Sequence, residues 1–104
     1  MAAVLVTKDN FQQEVLESNL PVLVDFFAGW CGPCQMLGPV IKELSTELEG
    51  KVKVCKINVD DEPDIAEQYR VMSIPKLVVI KDGQEVKSAL GYQSKEEILK
   101  LLEV

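Results

Sequence analysis

The stretch from residue 22 to residue 50 most strongly constrains the fold of this chain. Its first part, Val22–Ala28, is nearly all apolar and lies between Pro21 and Gly29, which is typical of a strand buried on both faces of a sheet. After a short loop, apolar residues recur at the spacing of an amphipathic helix that ends at Gly50. These residues are Leu37, Val40, Ile41, Leu44 and Leu48. A buried strand followed by an amphipathic helix is the unit from which α/β proteins are built.

The rest of the chain continues this alternation of strands and helices. Further strands are predicted at Val4–Val6, Val52–Val59, Leu77–Ile80 and Glu85–Leu90. Further helices are predicted after Thr7, after the acidic pair Asp60-Asp61, and after the capping-box pair Ser94 and Glu97. We therefore expect one α/β domain over residues 1–104, with a largely parallel sheet between two layers of helices. The turn Asp82-Gly83 predicts a hairpin, which adds at least one antiparallel strand.

Composition and charge exclude several classes of function. The chain has 104 residues, of which 47% are hydrophobic, so it can bury a modest core. Its net charge is −6 and it has no histidine, which argues against nucleic acid or an anionic membrane as a partner. No apolar run is long enough to cross a bilayer. The N-terminus lacks a basic region followed by an apolar stretch, so no secretory signal is predicted.

The chain contains three cysteines, Cys31, Cys34 and Cys55. This odd, low number does not fit a secreted scaffold held together by disulfides, and it indicates a reducing, cytoplasmic compartment with one redox pair. A structural zinc site needs about four Cys or His ligands, which three cysteines without histidine cannot supply. We therefore expect no metal. For Cys55, which lies in an apolar strand pattern, two interpretations remain open: a buried small hydrophobic residue, or a regulatory thiol.

The pentapeptide Trp30-Cys31-Gly32-Pro33-Cys34 has the spacing of a pair of thiols that exchange disulfides. The following helix directs its free N–H groups and the positive end of its dipole at the first sulfur, which favours the thiolate of Cys31. Pro33 fits the first helical turn, and Gly32 lets a partner approach closely. We expect Cys31 to be exposed and Cys34, one turn further on, to be more buried.

Asp25 is unusual because it interrupts the apolar run Val22–Ala28, where a charge is unfavourable. From the residues alone, two interpretations are equally open. The side chain either lies on a solvated face of the strand, or is a buried carboxyl whose pKa is raised by burial and which exchanges a proton with Cys34.

Taken together, these residues closely resemble the thioredoxin family along the full length of the chain. The resemblance depends on the segment Asp25-Phe26-Phe27-Ala28-x-Trp30-Cys31-Gly32-Pro33-Cys34, followed by Pro39, Lys56, Ile74-Pro75, Gly83 and Gly91. It implies an α/β thioredoxin fold, with a five-stranded mixed central sheet flanked by four helices. It also implies a monomer without a bound cofactor that reduces disulfides of target proteins. Its reducing equivalents would come from NADPH through a thioredoxin reductase.

The resemblance further implies roles for individual residues. Cys31 would be the attacking thiol, Cys34 the resolving thiol and Asp25 the buried acid or base, with Cys31 and Cys34 forming the redox-active disulfide. Gly32, Pro33, Lys56 and Pro75 would support them, Pro75 as a cis-proline beside the two thiols. The surface that receives partner segments would be formed by Trp30, Val59, Ser73, Ile74 and Gly91.

Four positions depart from the family pattern: Gln35, Lys76, Phe27 in place of the commoner Trp, and Ser73 in place of a common Gly or Ala. Gln35 stands where the family commonly has Lys or Arg, and Lys76 follows Pro75 where Thr is common. We expect the first change to weaken the positive potential near the thiols, and the second to restore it if the side chain points toward them. Two other functions remain open: a disulfide oxidant or isomerase, and a non-enzymatic binding module. The Gly32-Pro33 pair and the absence of a visible secretion signal argue against the oxidant.

Overall fold

A computed structural model describes residues 3–104, whose backbone forms a five-stranded mixed sheet. The strands are β1 (Val4–Leu5), β2 (Val22–Phe27), β3 (Lys53–Asn58), β4 (Lys76–Lys81) and β5 (Gln84–Leu90). Their order across the sheet is β1-β3-β2-β4-β5. The first three run parallel, whereas β4 is antiparallel to both β2 and β5. Strand β2 therefore occupies the centre, as its nearly all-apolar sequence predicted.

The helical elements are a short π-helix and three α-helices: Gln12–Leu16, α1 (Gly32–Glu47), α2 (Pro63–Gln68) and α3 (Lys95–Leu102). The predicted α/β class, five mixed strands and four helical elements are confirmed. Ser94 and Glu97 form the predicted capping box of α3. At the Asp82-Gly83 hairpin both residues have positive φ, 51° and 77°, as a type I′ turn requires.

Two expectations about the fold need correction. The sheet is less parallel than the alternation of elements predicted, because the segment between α2 and β4 returns the chain antiparallel to β2. The predicted first helix is π-helical, with the Glu17 N–H donating to the Gln12 carbonyl at 2.9 Å. Helix α2 begins at Pro63, after the acidic pair Asp60-Asp61 as predicted, and no side chain caps its start.

The two faces of the sheet are covered by two apolar layers. On one face, the π-helix and α2 pack on β2 and β4 through Val15, Ile65, Tyr69, Val24 and Val78. On the other face, α1 and α3 pack on the sheet through Leu37, Ile41, Ile98, Leu23 and Leu77. Since both faces are covered, the free edges and ends of the sheet remain for function. The loop after β2 and the first turn of α1, which carry Cys31 and Cys34 respectively, lie at one such end.

Candidate active site

Cys31 and Cys34 form a disulfide at the N-terminus of α1, with their Cα atoms 5.2 Å apart. Cys31 is the N-cap residue, with extended backbone angles, and its Sγ accepts a hydrogen bond of 3.2 Å from the Cys34 N–H. Pro33 lies in the first turn, where a missing N–H leaves no helical hydrogen bond unmade. The first sulfur therefore sits where the amide dipoles of the helix converge, which favours negative charge on it.

The expected difference in exposure between the two cysteines is wrong for this oxidised state, since each is only 5% exposed. The disulfide draws both sulfurs against Ala28, within a small apolar cluster that Phe27, Val59 and Ile74 adjoin. The two residues differ instead in the space that they face. Cys31 lines an open groove of about 460 Å³, whereas Cys34 lines a separate cleft of about 180 Å³ that also contains Asp25.

The open groove, which we call the docking groove, brings together most of the surface predicted to receive partners. Trp30, Val59, Ser73 and Ile74 all line it. Gly32 and Pro33 lie at the same groove, next to Cys31. Gly91 does not line it: its N–H donates to the Pro75 carbonyl at 2.8 Å, on the side of the cis-proline.

The sequence did not predict that three further residues belong to this region. Val71 and Met72 form part of the groove wall, and the Met72 side chain is 94% exposed. Asp60 accepts a hydrogen bond of 2.8 Å from the Trp30 Nε1–H, which holds an indole that is itself 72% exposed. A signal for Asp60 was present, since Trp30 and Asp60 both follow neighbouring parallel strands, β2 and β3, at the same edge of the sheet.

The peptide bond between Ile74 and Pro75 is cis, as the resemblance implied. The Ile74 carbonyl oxygen lies 3.9 Å from Cys31 Sγ, so the backbone of this loop faces the disulfide directly. An extended segment of another protein that reached Cys31 would therefore run beside main-chain groups of Ile74.

The Asp25 side chain is buried, with 1% of its surface exposed, which decides against a solvated strand face. Its Oδ1 has no hydrogen-bond partner within residues 3–104. Burial raises the pKa of Asp25 from 3.8 to about 6, and the nearby charge of Lys56 opposes part of this rise. A carboxyl with such a pKa exists in both protonation states near neutral pH, as an acid or base must.

Lys56 is paired with Asp25 in the register of β2 and β3 and lines the same cleft. Its ammonium lies 4.5 Å from the centre of the Phe27 ring. Gln35, the first departure from the family pattern, turns its side-chain amide to the Gly29 carbonyl at 2.9 Å. The cleft thus combines one carboxyl, one ammonium and the Cys34 side chain, with space for several water molecules between them.

Cys55 lies outside the site, on β3 within the apolar layer beneath α2, and is fully buried. Burial raises the pKa of its thiol from 9.0 to about 12, with a smaller opposing effect from Lys53. The structure therefore favours the interpretation as a small hydrophobic residue over that as a regulatory thiol.

Titration of thiols tests this assignment of Cys55. When Cys31 and Cys34 have been blocked as their disulfide, we expect the folded protein to show no thiol reactive to a disulfide reagent at pH 8. One thiol should appear on unfolding in guanidinium chloride, because thiolate formation and access both require that the core open. Rapid labelling of Cys55 in the folded protein would restore the regulatory interpretation.

The described part of the chain contains neither a metal-binding cluster nor a membrane-spanning helix. Within residues 3–104, no group of three or more Cys, Asp or Glu side chains is arranged to hold a metal ion. None of the helices in that range is both long and apolar enough to cross a membrane. The disulfide itself supports thiol–disulfide exchange, with an open groove on the Cys31 side and a buried carboxyl on the Cys34 side.

Comparisons with known proteins agree with this geometry. A sequence model of the thioredoxin family matches residues 2–104. A thioredoxin of Rickettsia felis is 52% identical over 94 residues, which cover 90% of each chain. Thioredoxin 1 of a Nostoc species is 49% identical over 102 residues, which cover 98% of this chain and 95% of the relative. A thioredoxin of Pyropia yezoensis is 47% identical over 102 residues, which cover 98% of this chain and 95% of the relative.

Proposed function

This chain belongs to the thioredoxin family and is a protein-disulfide reductase, and we propose that it carries electrons from NADPH, through a thioredoxin reductase, to target proteins. The observation that carries this proposal is the disulfide at the N-terminus of α1, placed between an apolar groove and a buried carboxyl. No bound cofactor takes part on this chain, since the two sulfurs themselves hold the electron pair.

In the proposed first step, the Cys31 thiolate attacks one sulfur of a target disulfide. A new bond forms between Cys31 Sγ and that sulfur, while the target's own disulfide bond breaks and its second sulfur leaves as a thiolate that takes up a proton. The position of Cys31 at the N-cap of α1 and at the docking groove supports this role. Gly32 and Pro33 shape the approach, and Pro33 stiffens the first turn.

In the proposed second step, Cys34 loses its proton and attacks Cys31 Sγ. The Cys31–Cys34 disulfide forms, the mixed disulfide breaks, and the reduced target leaves with both of its sulfurs as thiols. Asp25 is the proposed proton acceptor, acting through water in the cleft that it shares with Cys34. Lys56 supports it by favouring the ionised carboxylate, which keeps the base available at neutral pH.

The proposed target contact is an extended segment laid along the docking groove. Trp30, Val59, Ser73 and Ile74 would contact it, and the cis-Pro75 would present the Ile74 backbone to it. Gly91, which is hydrogen-bonded to Pro75, would support that loop. We further propose that the protein works as a monomer in the cytoplasm, where a reducing environment regenerates the dithiol and keeps Cys55 reduced.

Coupled reduction of insulin tests this function. The oxidised chain is mixed with NADPH, a thioredoxin reductase and insulin, and NADPH consumption is followed by absorbance. We expect consumption that requires all the components and ceases when Cys31 is replaced by serine. The contrary result is a chain that reduces insulin when a chemical dithiol re-reduces it, yet consumes no NADPH in the presence of the reductase. That result would leave its reductase activity intact but refute the proposed electron source.

A further inference from the structure

Lys76 is a buried cation that the reaction described above does not use. Only 9% of its surface is exposed, although lysine is one of the residues most rarely buried. Its ammonium donates hydrogen bonds to the backbone carbonyls of Tyr69 at 2.7 Å and of Arg70 at 3.5 Å. The side chain thus points at the C-terminal end of α2, and its expected role in restoring positive potential beside the thiols receives no support.

The end of α2 has an unusual need for such a partner. Arg70 has a φ of +54°, in the left-handed region that a helix end normally gives to glycine. Its N–H donates to Glu67 at 3.0 Å and the Val71 N–H donates to Ala66 at 2.9 Å, which is the pattern of a Schellman motif. This motif leaves the carbonyls of Tyr69 and Arg70 free, and it is these that the Lys76 ammonium binds.

The segment that follows the end of α2 forms one wall of the docking groove. Val71, Met72, Ser73 and Ile74 line the groove and follow directly after Arg70. At the far end of this wall, the Pro75 carbonyl accepts a hydrogen bond of 2.8 Å from the Gly91 N–H. Lys76 follows Pro75 and is the first residue of β4. Its hydrogen bonds to Tyr69 and Arg70 therefore connect the two ends of the segment 70–75 and attach the start of the wall to β4.

We propose that Lys76 is a positioning residue for the docking of protein substrates, acting through the end of α2. Its ammonium binds the carbonyls of Tyr69 and Arg70, and we call these two hydrogen bonds the Lys76 clamp. The clamp fixes the groove wall in the arrangement that receives an extended target segment. Without this clamp the wall has more conformational freedom, and docking must remove that freedom at the expense of affinity. A small disulfide, which meets only the sulfurs, does not depend on the wall.

The inference rests on the proposed function, and a comparison of two disulfides tests it. Each variant is reduced, mixed with insulin or with the small disulfide cystamine, and followed in a single turnover through the fluorescence of Trp30, the only tryptophan. For Lys76→Met, which keeps the apolar stem but removes the donors, we expect the second-order rate constant with insulin to fall about three- to tenfold. The rate constant with cystamine should stay unchanged. Lys81→Met, at the opposite end of β4, is the matched control and should change neither.

Two further measurements separate positioning from a general loss of stability. In Lys76→Met the amide proton of Val71, which closes the Schellman motif, should exchange with solvent faster, whereas the amide protons of β2 should not. Adding Arg70→Gly should restore most of the insulin rate, because glycine adopts the left-handed conformation without help from the clamp. If Lys76→Met fails to fold, Lys76→Thr serves in its place.

The outcomes are distinct. Equal losses with insulin and cystamine would place Lys76 in the thiol chemistry and overturn the inference, as would unchanged rates with both. If the unaltered chain reduces cystamine but not insulin, the proposed function fails. The exchange rate of the Val71 amide then decides by itself whether the clamp exists.

Discussion

Replacing Cys34 by serine is expected to arrest the protein as a covalent complex with its target. Without the second thiol, the mixed disulfide on Cys31 can be resolved only by an outside thiol, so turnover of insulin should fall to background. Mass spectrometry after mixing with insulin should show an adduct linked through Cys31. Cys31→Ser should also lose turnover, but it should form no such adduct, because the remaining Cys34 faces the smaller cleft instead of the groove.

Cys55→Ala is the matched control for both cysteine variants. It removes a thiol that is buried away from the site, and it should retain full turnover at a modest loss of stability. Accumulation of the adduct on Cys34 in the Cys31→Ser variant would reverse the two proposed roles. Adducts on both variants in equal amount would show that the groove does not distinguish the sulfurs.

Replacing Asp25 by asparagine is expected to stabilise the fold by an amount that grows with pH. Burial raises the pKa of Asp25 from 3.8 to about 6, above its value in the unfolded chain. The carboxyl is therefore neutral in both states only well below pH 3.8; between pH 3.8 and about 6 it is ionised in the unfolded chain but still protonated in the fold, so its cost to folding grows over this range and levels off above it. The full effect corresponds to about 3 kcal/mol, because the group is almost wholly buried.

Urea unfolding of the oxidised protein at several values between pH 4 and pH 8 measures this effect. In the disulfide state Cys31 and Cys34 do not titrate, so the difference between the Asp25→Asn variant and the parent isolates the carboxyl. The gain in free energy of unfolding should be small at pH 4 and reach about 3 kcal/mol by pH 8. Asp82→Asn removes a carboxyl from the exposed hairpin turn and should give no such rise. A gain that does not change with pH would contradict the raised pKa.

The same Asp25→Asn variant should be a slower reductase. If Asp25 accepts the Cys34 proton, its loss should slow the resolving step about 100-fold at pH 7.5, at the lower end of the range usual for a general base. In the parent that step should also slow as the pH falls through 6, since the carboxylate is then protonated. The variant should lack this inflection. A stabilised variant with the parent's rate and pH profile would leave Asp25 without a role in the reaction.

The parts of the structure that the sequence predicted well depend on neighbours close along the chain. The Asp82-Gly83 turn, the Ser94 and Glu97 capping box and the periodic faces of α1 and α3 all depend on local geometry. The position of Cys31 at the start of a helix follows from the same kind of local pattern. For Asp25, the residues alone did not decide between burial and exposure. A single polar residue in an apolar strand can have its side chain either on a solvated face or within the core.

The parts that could not be predicted require two distant segments to meet. The antiparallel orientation of β4, the hydrogen bond from Trp30 to Asp60 and the groove wall formed by Val71 and Met72 all arise from such meetings. Lys76 is the clearest case. A lysine is expected at the surface, but the Lys76 ammonium binds the carbonyl of Tyr69, seven residues earlier in the chain, at the end of α2.

Sequence by itself thus determined the reaction class of this protein, since two thiols one helical turn apart at a helix start carry that chemistry in their spacing. Only the tertiary structure decided which sulfur lines the open groove, which carboxyl is shielded from water, and which side chain contacts the end of α2. Those properties depend on desolvation and on contacts across the sheet, which are set by packing of the whole chain and not by the order of residues within any one segment.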